Sequence, residues 1–136
     1  SVMFKINDND QRLDTIWQNT NFDSKLSGIQ VVDGLIYGTA DQKKHWAALR
    51  WADGKEVFTT REIKPGSFVM ADGKFYIHTE TGEIVLAKPT PTGFELINSF
   101  ETPEFPTVHA YAHPVIYQGN LFVRINDSIW RYKISK

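Results

Sequence analysis

The chain has 136 residues, enough for one domain with a real core, and its 41% hydrophobic and 13% aromatic content is globular, not disordered. A net charge of −1, with Lys43-Lys44 beside His45 as the longest basic run, argues against sequence-independent nucleic-acid binding. Cysteine is absent, which excludes disulfide scaffolds, thiolate-held zinc, iron–sulfur clusters and thiol nucleophiles, and no apolar run reaches the ~18 residues of a membrane-spanning helix.

In chain order, Val2 to Ile6 and Asp14 to Gln18 read as two strands around the polar turn Asn7-Asp8-Asn9-Asp10. The order Asn7-Asp8-Asn9-Asp10-Gln11-Arg12 lacks the sixth-position glycine of a calcium loop, so a polar hairpin turn explains it better. Ser27 to Val32 and Leu35 to Ala40 flank Asp33-Gly34, a type I′ turn signal because both positions favour φ > 0. His45 to Trp51 and Glu56 to Thr60 flank Ala52-Asp53-Gly54-Lys55, a second hairpin. Next come Ser67 to Ala71, Lys74 to Thr79, Glu83 to Lys88 and Phe94 to Phe100, turning at Asp72-Gly73, Thr81-Gly82 and the Pro91-Thr92-Gly93 corner. His113 to Tyr117, Leu121 to Ile125 and Ser128 to Ile134 close the series. No stretch holds a 3.6-residue apolar period for ten residues, so no helix is predicted.

The strands repeat. Asp33-Gly34 before Ile36-Tyr37 recurs 39 residues on as Asp72-Gly73 before Phe75-Tyr76. At the same offset Ala48, Gly54 and Phe58 recur as Ala87, Gly93 and Ile97. A looser copy starts at Gln118-Gly119, before Leu121-Phe122. Repeats of roughly 40–50 residues built from short strands predict β-propeller blades. The fold expected is all-β: a partial propeller of about three four-stranded antiparallel blades. Residues 1–26 end a preceding blade, 27–65 and 66–112 are blades, and 113–136 form an incomplete last one. About three blades cannot close a ring, so self-association, or membership of a longer chain, is expected.

The segment Ala48 to Phe58 resembles the tryptophan-docking motif of quinoprotein-type (PQQ-like) propellers, with Ala48, Gly54 and Lys55 matching it. Arg50, Asp53 and Phe58 stand where that motif has Asp, Thr and Trp. Ala87, Thr92 and Gly93 match in the next copy, and Trp17 fits the tryptophan position of the one before. The ending, from Ala112-His113-Pro114-Val115 to Leu121-Phe122-Val123-Arg124, is similar to the C-terminal blade of bacterial PQQ-like repeat proteins. In such a motif Ala lets blades approach, Gly supplies a turn, and a flat aromatic packs on the next blade. Trp17, Ala48, Gly54, Phe58, Ala87 and Gly93 are therefore expected to act in docking. The resemblance also implies an extracytoplasmic location, periplasmic or secreted, and a protein partner or small ligand.

Chemistry has little footing. No Gly-x-Ser-x-Gly, HExxH or vicinal Cys pair exists, so catalytic and metal-binding residues and cofactors are all expected to be none. Gly66-Ser67 reads as a small pair at the crowded start of an innermost strand. Trp46 and Trp51 lie five apart on one strand, so they face opposite sides and at least one is core. The longest irregular stretch is Glu101 to Ala112, and loops on a rigid scaffold are where binding resides. His109, Tyr111, His113 and Arg124 are the candidate ligand or partner residues. The reading is a non-catalytic binding or protein-interaction scaffold. The alternatives are a fragment of a quinoprotein dehydrogenase-like enzyme and a carbohydrate-binding module, the latter using Trp46, Trp51 or Trp130 as stacking platforms.

Overall fold

Thirteen strands arranged as four separate antiparallel sheets make up the described part of a computed structural model, which covers residues 1–9, 11–25, 27–103 and 110–134. Sheet 1 holds β1 (Val2–Ile6) and β2 (Leu13–Gln18). Sheet 2 runs β3 (Gln30–Val32), β4 (Leu35–Ala40), β5 (His45–Arg50) and β6 (Glu56–Thr60) in sequential order. Sheet 3 repeats that meander with β7 (Gly66–Ala71), β8 (Lys74–Thr79), β9 (Glu83–Thr90) and β10 (Gly93–Glu101). Sheet 4 has β11 (Val115–Tyr117), β12 (Asn120–Ile125) and β13 (Ser128–Lys133). No helix occurs among the described residues, and none is long and apolar enough to cross a membrane.

Turn chemistry sets the register. Asp33 and Gly34 have φ of 48° and 76°, Asp72 and Gly73 of 49° and 69°, and Gln118 and Gly119 of 46° and 69°. Consecutive positive φ values are what a type I′ turn requires, and its twist matches that of the flanking strands. Four expected strands are shorter than their sequence pattern: β5 stops at Arg50, so Trp51 stands in the turn and not on one strand with Trp46, β13 stops at Lys133, and two others start late. The strand expected from Ser27 starts at Gln30 because Gly28, at φ 69°, breaks the extended run. The strand expected from His113 starts at Val115, after Pro114, which has no N–H to donate. Where a Pro91-Thr92-Gly93 corner was expected, the turn tightens to Pro91-Thr92, and the flanking strands extend to Thr90 and from Gly93.

Alternation along each strand gives the middle sheets two buried faces. Ile36, Ala47 and Leu49 pack with Trp17 and Phe22 on the sheet 1 side, while Tyr37, Trp46 and Ala48 face sheet 3. Phe75, Ile77, Val85 and Ala87 meet that second face, and Tyr76 and Ile84 turn the other way, onto Leu121, Val123 and Ile125 of sheet 4. A strand buried on both sides is a near-continuous apolar run, and β5 reads His-Trp-Ala-Ala-Leu. The core is thus three separate layers between successive sheets.

Ala48 and Ala87, matched by the 39-residue offset, face opposite ways relative to their own sheets. Ile36 pairs with Leu49 whereas Phe75 pairs with Ala87, so the structural counterpart of Ala87 is Leu49. The cause is local: four residues, Asp41 to Lys44, join β4 to β5, but three, Glu80 to Gly82, join β8 to β9.

Candidate functional site

The segment from Ala110 to His113 is held across the start of β7 and the end of β8. Ser67 Oγ donates to the Tyr111 carbonyl at 3.1 Å, and His78 Nδ1 lies 3.4 Å from the Ala112 carbonyl, which makes Nδ1 the protonated nitrogen. The Ala110 N–H donates to the Glu80 carbonyl at 3.2 Å. His113 reaches the loop before β3: its Cε1 lies 3.6 Å from where a Cβ on Gly28 would stand. Gly66 has no such room, because a Cβ there would overlap the His78 main chain. Glycine at the start of β7 thereby lets β7 and β8 close up, and Ser67 and His78 come to face each other across that pair.

Electrostatics at this end are modest. Lys44 and Glu80 form an ion pair of 2.8 Å between neighbouring hairpin turns, and the hydrogen bond that the ammonium donates to that carboxylate raises the lysine pKa. Burial pushes the His78 imidazole below its ordinary value, and the Ala112 carbonyl offsets part of that. His78 is therefore a neutral, Nδ1-protonated ring at neutral pH. Ser67, Asp41, Glu80 and Tyr111 help line a cavity of about 20 Å³, room for about one water. Ser67 and His78 stand opposite each other like a nucleophile and a base, yet both direct their donors at carbonyls of the crossing segment. That arrangement positions a loop and does not activate a hydroxyl.

Of the residues singled out for ligand contact, His109 lies outside the described residues. Tyr111 is 48% exposed beside the strand starts of sheets 2 and 3. Val115 pairs with Phe122, so His113 and Arg124 both lie two residues beyond that pair, at one end of sheet 4. Arg124 is exposed and its Nε donates to the Asn126 carbonyl at 3.2 Å. Tyr111, His113 and Arg124 thus mark the same end of the sheets, spread over three of them.

The docking candidates separate. Trp17 lies flat on Gly54, with no room for a Cβ between them, and its indole N–H donates to the Trp51 carbonyl at 2.8 Å. Asn19 adds a bond of 2.9 Å to the Gly54 carbonyl. Phe58 sits edge-on to Phe94, centroids 5.9 Å apart, between sheets 2 and 3. Ala48 and Ala87 are fully buried, while nothing stands within 4 Å of a Cβ on Gly93. Among the tryptophans Trp46 is core, and Trp51 is 48% exposed.

One recurrent feature escaped the sequence reading. The last strand of sheets 1, 2 and 3 carries a one-residue bulge, at Ile16, Val57 and Ile97. The residues just after it are Trp17, Phe58 and Asn98. The available signal was an exposed β-branched residue directly before the inward-facing one. Compared with known proteins, the chain matches no protein-family model and no curated protein.

Proposed function

We propose that the chain is a non-catalytic segment of a PQQ-like β-propeller, extracytoplasmic, that serves as a rigid scaffold for a protein partner or small ligand. Two four-stranded meanders and a three-stranded one, packed face to face in chain order, support the blade reading. The observation that carries the scaffold reading is the crossing segment, whose main chain is tied down by Ser67 and His78 while the Tyr111 ring stays exposed. Rigid backbone under an exposed aromatic favours binding, because little conformational entropy is lost on contact.

Adding the quinone with calcium and following its absorbance together with dye-linked alcohol oxidation tests the non-catalytic part. No turnover is expected, and turnover would replace this reading with the dehydrogenase one. Light scattering after gel filtration tests the incomplete propeller, which is expected to self-associate; a clean monomer at high concentration would count against it. Exposed Trp51 favours the carbohydrate alternative, and binding on a glycan array that Trp51→Ala abolishes would establish it.

A further inference from the structure

Sheets 2 and 3 face each other with four strands each, but sheet 4 presents three to sheet 3. The fourth strand of sheet 2, β6, has β10 opposite it, as the Phe58–Phe94 contact shows. The fourth strand of sheet 3, β10, meets sheet 4 through Phe100, whose ring centroid lies 4.9 Å from that of Tyr132 in β13. No fourth strand of sheet 4 stands opposite it among the described residues, and β13 ends sheet 4 with its outer edge unpaired among them. Beside that edge lies a cleft of ≈ 470 Å³, within the range of ligand sites.

One wall of the cleft is Arg131, Tyr132, Lys133 and Ile134. Consecutive residues of a strand alternate faces, so a run of four means that the cleft follows the edge of β13 and not a single face of the sheet. The opposite wall comes from alternate residues of β10, Asn98 and Phe100, with Leu86 and Tyr76 behind them. Asn98 occupies the post-bulge position that Trp17 and Phe58 fill in the sheets before it. At the first two interfaces an aromatic ring fills this position; here Asn98 does not, and the cleft remains beside the Phe100–Tyr132 ring pair, whose centroids are 4.9 Å apart. The Tyr132 hydroxyl is buried with no hydrogen-bond partner among the described residues, an uncommon state for such a group.

We propose that the edge of β13 and its cleft take an extended peptide in which apolar, mainly aromatic, side chains alternate with acidic ones. The main chain of the peptide pairs with β13, whose outer edge has no strand partner among the described residues. Side chains on one face enter the cleft against Phe100 and Leu86, and a peptide carbonyl gives Tyr132 its missing acceptor. Side chains on the other face lie beside Arg131 and Lys133, exposed and opposite Phe122 and Asn120 on the uncovered side of sheet 4. Opposite charges at adjacent positions across strands stabilise pairing. The inference deepens the scaffold reading and rests on it for the premise that the chain is a binder.

The probe is a blocked octapeptide with Phe and Val alternating with Glu and Thr, used where scattering shows it monomeric. Fluorescence anisotropy measures its affinity, and hydrogen exchange with mass spectrometry locates it. Binding is expected, with slowed exchange confined to residues 128–134. The peptide with Lys in place of Glu should bind at least tenfold more weakly. Asn98→Trp should fill the cleft and lower affinity at least tenfold, and Arg131→Glu with Lys133→Glu should reverse the charge preference. The two charge changes are on the surface, so they keep the test valid if the tryptophan variant does not fold. No binding, protection elsewhere, or equal affinity for both peptides would overturn the proposal. Quinone turnover in the separate assay would instead overturn the scaffold reading, so the two failures are distinguishable.

Discussion

The indole of Trp17 in β2 occupies the space where a side chain on Gly54 would begin, and through that contact sheet 1 is joined to sheet 2. Gly54 is at φ 65° and its N–H is bonded back to the Arg50 carbonyl, so the loop presents bare backbone to the ring. Two demands meet at this position: a left-handed conformation and zero side-chain volume. Gly34, at φ 76° with nothing within 4 Å, meets only the first. Left-handed backbone costs an L residue about 1–2 kcal/mol, and overpacking adds about 1–3 kcal/mol. Gly54→Ala should therefore destabilise by about 3 kcal/mol and Gly34→Ala by about 1–2 kcal/mol. Urea unfolding of both variants checks this; equal losses would mean that Trp17 yields to the new methyl group.

Trp17 itself is tested by two truncations. Trp17→Phe keeps a ring on Gly54 but removes the indole N–H that bonds the Trp51 carbonyl, a loss of about 1–2 kcal/mol. Trp17→Ala empties the contact among Ile36, Ala47 and Leu49 and should cost about 3–5 kcal/mol. The expected order in urea midpoint is wild type, Phe, then Ala. A Phe variant as damaged as the Ala variant would show that the hydrogen bond, and not the packed area, joins the sheets.

The order of strands was legible because it is written locally. Asp33-Gly34 and Asp72-Gly73 announce their turns, and alternation within β4 and β8 assigns faces without any long-range information. What stayed hidden depends on the difference between two loops. The connection after β8 is one residue shorter than that after β4, which moves the partner of Ala87 from Ala48 to Leu49. The bulges at Ile16, Val57 and Ile97 then shift the register again, so a fixed offset pairs Phe58 with Ile97 when the inward-facing counterpart is Asn98. The candidate site was legible only as a long loop. That its main chain is tied to Ser67 and His78, and that His113 reaches Gly28, follows from strand ends that lie 34 or more residues away in sequence from the groups they meet.

Gln118 supplies a test of the turn argument. It stands at φ 46° where the other two hairpins have Asp, and Gln has no short polar side chain to ease that conformation. Gln118→Asn should raise stability by about 0.5–1 kcal/mol, since the Asn-Gly pair is preferred in type I′ turns. Among the described residues a side-chain bond at this turn runs from Asn120 to the Gln118 carbonyl, a main-chain group that the substitution retains. An unchanged or lower melting temperature would mean that the hairpin is not limited by its turn.

Ser67 tests whether the crossing segment is held as a unit. Removing its hydroxyl leaves the Tyr111 carbonyl without that donor, while the His78 contact to Ala112 remains. Ser67→Ala should cost about 1 kcal/mol and speed exchange at residues 110–113 without loosening β8 or β9. Faster exchange across all of sheet 3 would instead make Ser67 a core residue of the sheet.

Acid should weaken the fold through its buried imidazoles. His78 is fully buried and His45 nearly so, and burial is the first cause lowering both below the usual 6.5. A proton taken up by the unfolded chain near pH 6.5 is refused by the folded one, so the unfolded state binds more protons as pH falls. The stability linked to these groups is complete above the unfolded value and is lost as pH falls through the folded values. Going from about pH 7.5 to about pH 5 should therefore lower the urea midpoint. His78→Gln keeps an amide donor for the Ala112 carbonyl and does not titrate, so it should flatten that dependence. His45→Gln has no bonded ring nitrogen to replace and should flatten it as well, at the cost of burying an amide without partners. A pH profile unchanged in both variants would place the acid sensitivity on carboxylates, and would leave His78 as a ring held by packing alone.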